Sequence, residues 1–300
     1  MLTVPSGLIP PVFRLVRANR VFATAAGAHK KVRQRELRPA QYGPPSKLRA
    51  DVTVAVSHER GWPVYTISPR RGATTGSVVY VHGGGWVNEI VSQHWQLAAQ
   101  IAAQANTTVT VPIYPLVPFG TAREAADVVT RLVVSNSERY GATCLAGDSA
   151  GGQIALSVAL RLRDTHGVTL PRTVLISPAL DLSWSNPLIP IVQPMDPWLG
   201  TPGGRVLAGL WKGDLDLLDP AVSPLMGDLA GLGPLTVFTG TRDVLNPDAH
   251  LLNAKATAAG VSVDFHEVPG QLHVYPLLPT REGASARALI VAALKRAVRG

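Results

Sequence analysis

Gly147-Asp148-Ser149-Ala150-Gly151-Gly152 sets a serine among small residues, between a run expected to form a short strand and one expected to form a helix. A serine hydroxyl becomes a useful nucleophile only where it projects toward a base that takes its proton, and a tight strand-to-helix turn presents it that way. The spacing predicts a nucleophile elbow, with a glycine-rich helix start as the plainer alternative for so short a motif. His82-Gly83-Gly84-Gly85-Trp86 follows another expected strand and is the rarer pattern. Glycines let backbone N–H groups turn toward a ligand with no Cβ in the way, and such donors hold the negative oxygen that develops when an acyl carbonyl becomes tetrahedral. A plain turn or a phosphate loop also uses glycines. Neither the Walker spacing nor a G-x-G-x-x-G before a helix is present, which disfavours phosphate.

A nucleophilic serine needs a base, and the base needs an acid to orient it. On a parallel sheet the expected chain order is Ser, then Asp or Glu after a later strand, then His after the last. Asp243 follows the run 235–240, and His273 follows the run 262–268 in Pro269-Gly270-Gln271-Leu272-His273. Both fall at the carboxyl ends of expected strands, where open parallel sheets place their sites. His266 lies within the last run and reads as packing or surface. His250 belongs to an expected helix, and His94 precedes the serine. Asp248 reads as an early-turn helix charge, and Asp181 falls one strand too early. Cys144 reads as packing before the elbow. Trp86, Trp198, Trp211, Phe119 and Tyr275 are candidates to line a pocket, although each such residue is more often ordinary core or cap packing.

These side chains need a scaffold, and the rest of the chain supplies its pattern. Short runs at 51–56, 62–67, 77–82, 108–113, 143–147, 173–177, 235–240 and 262–268 read as strands. Helical stretches read at 93–104, 121–139, 149–164, 247–259 and 284–298, the last with Ala286, Leu289, Ile290, Ala293, Leu294 and Ala297 at helical spacing. Such alternation predicts the α/β class, a mostly parallel eight-stranded sheet with helices on both faces, because parallel neighbours need crossovers. The 300 residues, 46% hydrophobic and 16% charged, suffice for one large core and exclude a disordered chain. Residues 180–233, rich in Pro, Gly, Trp and Leu, exceed an ordinary connection and predict an inserted cap.

Charge is unevenly placed. Residues 1–50 carry ten of the 28 Lys and Arg and one of the 20 acids, a net +9, so the remaining chain sums to −1. This segment can attract anionic lipid, as a weak contact at a membrane periphery, nucleic acid or an acidic partner. The plainer reading is a solvated amphipathic helix with Val12, Leu15, Val16 and Phe22 as its apolar face. Nucleic acid is not expected, since no aromatic-interleaved basic patch accompanies the charge. No run approaches the ~18 apolar residues of a membrane span. The first residues lack a signal-peptide pattern, and one cysteine excludes an internal disulfide framework, so a cytoplasmic setting is expected. Nothing in the pattern indicates an oligomeric state.

With these pieces in order, residues 50–300 resemble the hormone-sensitive-lipase-like branch of the α/β-hydrolases, the bacterial serine esterases and lipases. His82 to Trp86 resembles that family's oxyanion motif and Gly147 to Gly152 its elbow; Asp219-Pro220-Ala221-Val222-Ser223-Pro224-Leu225 resembles its approach to the triad acid. The resemblance implies an α/β-hydrolase fold over a single domain, 1–300, with a helical cap from about 1–45 and 180–215. It implies Ser149 as nucleophile, His273 as general base and acid, Asp243 as orienter, and oxyanion donors from the N–H groups of Gly84, Gly85 and Ala150. His82 and Gly83 would shape the loop. It further implies a carboxylic-ester substrate of short to medium chain, an acyl-serine intermediate, and no metal or cofactor. Lactone or amide hydrolysis with the same triad, and a non-catalytic small-molecule binder on this fold, are the alternatives. One departure stands out: Pro112-Ile113-Tyr114-Pro115-Leu116-Val117-Pro118 lacks the acids and arginine that many relatives carry there, which questions the usual polar support of the site.

Overall fold

The computed structural model describes residues 3–299; residues 1, 2 and 300, which the expected domain and cap boundaries include, lie outside them. In chain order the elements are α1 (Ile9–Leu15), α2 (Ala25–Leu37), β1 (Val52–Glu59), β2 (Trp62–Pro69), β3 (Ser77–Val81), α3 (Ser92–Ala105), β4 (Thr108–Pro112), α4 (Ala122–Tyr140) and β5 (Thr143–Asp148). There follow α5 (Ala150–His166), β6 (Thr173–Ile176), α6 (Ile189–Val192), α7 (Thr201–Trp211), β7 (Leu235–Gly240), α8 (Asn246–Ala258), β8 (Val263–Val268) and α9 (Arg281–Ala297). Each expected strand is present within a few residues. The sheet order is β1-β2-β4-β3-β5-β6-β7-β8, parallel from β4 to β8, with β2 antiparallel to both its neighbours. Arg60 and Gly61, both at positive φ, turn β1 directly into β2, as a two-residue hairpin requires.

Alternation along the central strands builds two cores. Val79, Val81, Leu145, Leu175 and Val237 face one side, packed with Val129 and Val133 of α4, Ile154 of α5 and Leu252 of α8. Val78, Tyr80, Ala146, Val174 and Phe238 face the other, packed with Trp95 and Ile101 of α3 and Ile290 and Leu294 of α9. A period of two thus apportions apolar side chains to both faces, and the helices cover them. Leu289, expected on the buried face of α9, is instead exposed.

The segment before β1 and the segment between β6 and β7 pack on each other, α2 against α7. Their contact is close because Gly203 has no side chain: a Cβ there would lie 2.5 Å from the Val21 carbonyl oxygen and 2.6 Å from Phe22 Cα. The Gly203 N–H donates to the Phe22 carbonyl at 2.9 Å. One expectation fails here. Only Phe22 of the proposed apolar face is buried, whereas Val12, Leu15 and Val16 face solvent. The helix ends at Leu15, Arg17 turns the chain at φ 51°, and Pro10 and Phe13 make the inward contacts instead. Among the described residues no helix is long and apolar enough to cross a membrane.

Candidate active site

Ser149 occupies the turn between β5 and α5 at φ 52° and ψ −118°, a conformation L-residues rarely adopt and one that surrounding structure must hold. The hold comes from the next strand: Ser149 N–H donates to Ile176 O at 2.8 Å, and Ala179 N–H to Ser149 O at 3.1 Å. The neighbouring glycines are required by packing. A Cβ on Gly147 would meet Gly151 O at 2.2 Å, and one on Gly151 would meet Val81 O at 2.1 Å. No side chain fits where helix, turn and β3 come this close.

Asp243 follows β7, and His273 follows β8. Their two loops are tied by Arg242 N–H donating to Gln271 O at 3.0 Å, while Val274 N–H donates to Ser177 Oγ at the end of β6. His273 Nδ1 stands 2.9 Å from Asp243 Oδ2, and its Nε2 stands 2.9 Å from Ser149 Oγ. A carboxylate only accepts, so Nδ1–H donates to Asp243 and Nε2 is left to accept the serine proton. Asp243 is wholly buried, its Oδ1 accepting from Leu245 N–H at 3.0 Å. Burial alone would lower the His273 pKa, but the Asp243 charge and hydrogen bond, with the charges of Asp196 and Asp148, outweigh it and hold the imidazole above its ordinary value.

The glycine loop is hung from the elbow by Asp148, the residue before Ser149. Asp148 Oδ1 accepts from Gly83 N–H at 3.0 Å and from Tyr80 O–H at 2.6 Å; Oδ2 accepts from His94 Nε2 at 3.2 Å. His94 Nδ1 in turn accepts from Val91 N–H at 3.0 Å, which fixes the Nε2–H tautomer. Burial works against the Asp148 charge, yet His94 and Tyr80 prevail and keep its carboxyl below the usual range. A Cβ on Gly83 would lie 2.2 Å from Asp148 Oδ2, so only glycine fits. Gly84 and Gly85 turn at φ 125° and 60°. Among the described residues, the N–H groups of Gly84, Gly85 and Ala150 donate to no protein atom. His82 is buried, donates Nδ1–H to Gly83 O at 2.7 Å and stacks on Tyr114 with centroids 4.6 Å apart. Burial, then the neighbouring His94, push its pKa down to about 3, so it stays neutral.

Tyr114 resolves the departure seen in the proline-rich stretch. Its hydroxyl donates to His82 O at 2.9 Å, and Val117 N–H donates to Trp86 O at 2.8 Å. Support for the glycine loop therefore comes from a phenol and a backbone amide in place of acids and an arginine. Gln153 does similar work from inside α5: its Oε1 accepts from Trp86 Nε1 and Trp211 Nε1, and its Nε2 donates to Ala221 O. Trp86 and Trp211 are thus core residues joining the glycine loop to α7; Tyr275 is buried and Phe119 exposed. Trp198 differs. Its ring lies edge-on to His273 at 5.6 Å and to Phe13 of α1 at 5.1 Å.

Asp196, between β6 and β7, was not legible as part of this site. Its Oδ2 accepts from Val244 N–H, next to Asp243, and its Oδ1 accepts from Trp198 and Leu199 N–H. Burial, and then the charge of Asp243, raise its pKa to about 6. Asp248 lies in the first turn of α8 as expected, but it is buried there and accepts from Asn186 Nδ2 at 2.8 Å. Asp181 accepts from Ser183 and Ser185 and does not reach the histidine. His250 pairs with Glu267, and His266 stacks on Phe238. Cys144 is buried, and burial pushes its thiol up to about 12.

A serine on the turn after the fifth strand, an acid after the seventh and a histidine after the eighth of a mainly parallel sheet define the α/β-hydrolase class. Comparison with known proteins agrees. A family model described as an alpha/beta hydrolase fold matches residues 78–277. The chain is 33% identical over 211 residues to an acetyl-hydrolase of Streptomyces hygroscopicus, covering 68% of this chain and 70% of the other. It is 32% identical over 229 residues to a triacylglycerol lipase of Mycobacterium tuberculosis, covering 75% of this chain but only 48% of that longer protein. The crystal structure of an esterase from the bacterial hormone-sensitive lipase family aligns with a TM-score of 0.78 at 26% identity, over 90% of this chain and 96% of that one. The chain belongs to the α/β-hydrolase family, in its hormone-sensitive-lipase-like branch.

Proposed function

We propose that this chain is a carboxylic-ester hydrolase that works through an acyl-serine intermediate on esters of short to medium acyl chain. One observation carries the reading: the hydrogen-bonded row Ser149, His273, Asp243 beside N–H groups of Gly84, Gly85 and Ala150 that have no protein acceptor among the described residues. In the first half-reaction His273 Nε2 takes the Ser149 proton as Oγ bonds to the carbonyl carbon. The carbonyl oxygen becomes an oxyanion facing those N–H groups. Collapse expels the alcohol, which receives the proton from His273; water then attacks the acyl-serine by the same route and releases the acid. Asp243 stays ionised and holds the imidazole in its Nδ1–H tautomer.

Trp198, edge-on to His273 at 5.6 Å, borders the space beside the row, which favours small acyl groups in this reading. The acetyl-hydrolase relative points the same way. No metal or cofactor has a step in this chemistry, and a cytoplasmic setting fits the single, buried Cys144. The test is Ser149→Ala assayed on p-nitrophenyl esters of increasing chain length, with lactones and anilides beside them. Activity is expected to fall by about 10⁴-fold or more, with short esters the best substrates of the wild type. A variant that kept the wild-type rate would overturn the assignment.

A further inference from the structure

We propose that the outer face of α1, with its basic flank, is a docking surface for an anionic lipid layer. Leu8, Val12, Leu15 and Val16 recur at positions i, i+4, i+7 and i+8 and so form one stripe along α1 and the residues that cap it. They are 55%, 49%, 83% and 60% exposed, although the opposite side of the helix is already seated through buried Pro10 and through Phe13 on Trp198. The stripe is therefore a second apolar face with no partner among the described residues. The cap carries a further exposed row at Leu188, Ile191 and Met195, which ends three residues before Trp198.

Charge decides what covers this surface. Arg14 lies within the stripe's span and Arg17 and Arg20 follow it; all three are exposed, as are Lys30, Arg33 and Arg38 on and just after α2. Residues 1–50 hold one acid, Glu36, and the nearby buried Glu89 is paired with Arg35 at 2.6 Å. Lys31 is held below its ordinary pKa by burial and then by the charges of Arg20 and Arg35, a sign of how closely these cations gather. A second copy of the chain would set +9 against +9. A nucleic acid would answer the cations but leave the Leu and Val side chains in water. An anionic lipid surface answers both, taking the apolar stripe among its acyl chains and the guanidinium groups among its headgroups. With only two turns of helix the contact is shallow and reversible. It also lies one aromatic layer from the site, since Phe13 touches Trp198 and Trp198 touches His273.

The experiment is flotation of the full chain with vesicles of phosphatidylcholine alone and of phosphatidylcholine mixed with phosphatidylglycerol, at about 0.1 M salt. Binding is expected only with the mixed vesicles, weakening as salt rises. The pair Leu15→Asp with Val16→Asp, and separately the set Arg14→Glu, Arg17→Glu and Arg20→Glu, are each expected to reduce partitioning by about tenfold or more. Both variants should hydrolyse a water-soluble ester at the wild-type rate, which shows that they are folded. Equal binding to both vesicle types, binding unchanged in either folded variant, or a lipid-free dimer that the aspartate pair converts to monomer would each overturn the proposal.

Discussion

His273 sits between opposed influences, burial favouring its neutral form and the carboxylates of Asp243 and Asp196 favouring its cation. Catalysis as proposed needs the neutral imidazole, so kcat/KM is expected to fall as pH drops through a pKa above the ordinary ~6.5. Asp196→Asn removes one of the negative charges that stabilise the cation. The acid limb of the pH–rate profile should then move to lower pH. Asparagine keeps an oxygen to accept from the Trp198 and Leu199 amides, so the turn at 196–199 is retained. A folded Asp196→Asn enzyme whose acid limb coincides with that of the wild type would refute the electrostatic role of this carboxylate. Ser149, Asp243 and His273 could be picked out from motif and chain order. Asp196 could not, because its partner Val244 lies 48 positions further along and nothing local marks the contact.

At the scale of elements, close approach is what the glycines provide. The elbow glycines admit α5 to β3, and Gly203 admits α7 to the N-terminal segment. Gly203→Val would force the Val21–Phe22 backbone away from α7, since the new Cβ falls well inside contact distance. The expected result is faster amide hydrogen exchange in α2 and α7, with β3, β5 and β6 still protected. Unchanged exchange in α2 and α7 would mean that this contact does not hold the two helices together. Strands and crossover helices were readable because their periods are local. The direction of α1 was not: apolar residues lie on both its sides, and only the seat available beside Trp198 selects Phe13 over Leu15 for burial.

For the whole molecule, stability carries the imprint of buried acids. Burial, and then the charge of Asp181, lift Asp248 to about 6 against the opposing hydrogen bond from Asn186, and its Oδ2 has no partner among the described residues. An acid whose folded pKa exceeds its unfolded ~3.9 binds its proton more tightly in the native state. Its contribution therefore favours folding below ~4 and is lost as pH rises through about 6. Asp248→Asn is accordingly expected to raise Tm at pH 8 and to change it little at pH 4, read by thermal unfolding at both. A gain in Tm that is the same at both pH values would rule out ionisation as its cause.

The amino-acid order by itself determined the sheet, the glycine-lined turns and the chain order of serine, acid and histidine, because each depends on residues that are near neighbours or on the repeat of a strand or helix. Tertiary structure alone decided which carboxylates lie buried beside the histidine, that Asp148, His94 and Tyr114 support the glycine loop, and which side of α1 meets solvent. Burial and electrostatic neighbourhood are properties of distances between remote segments, and those distances exist only once the chain has closed on itself.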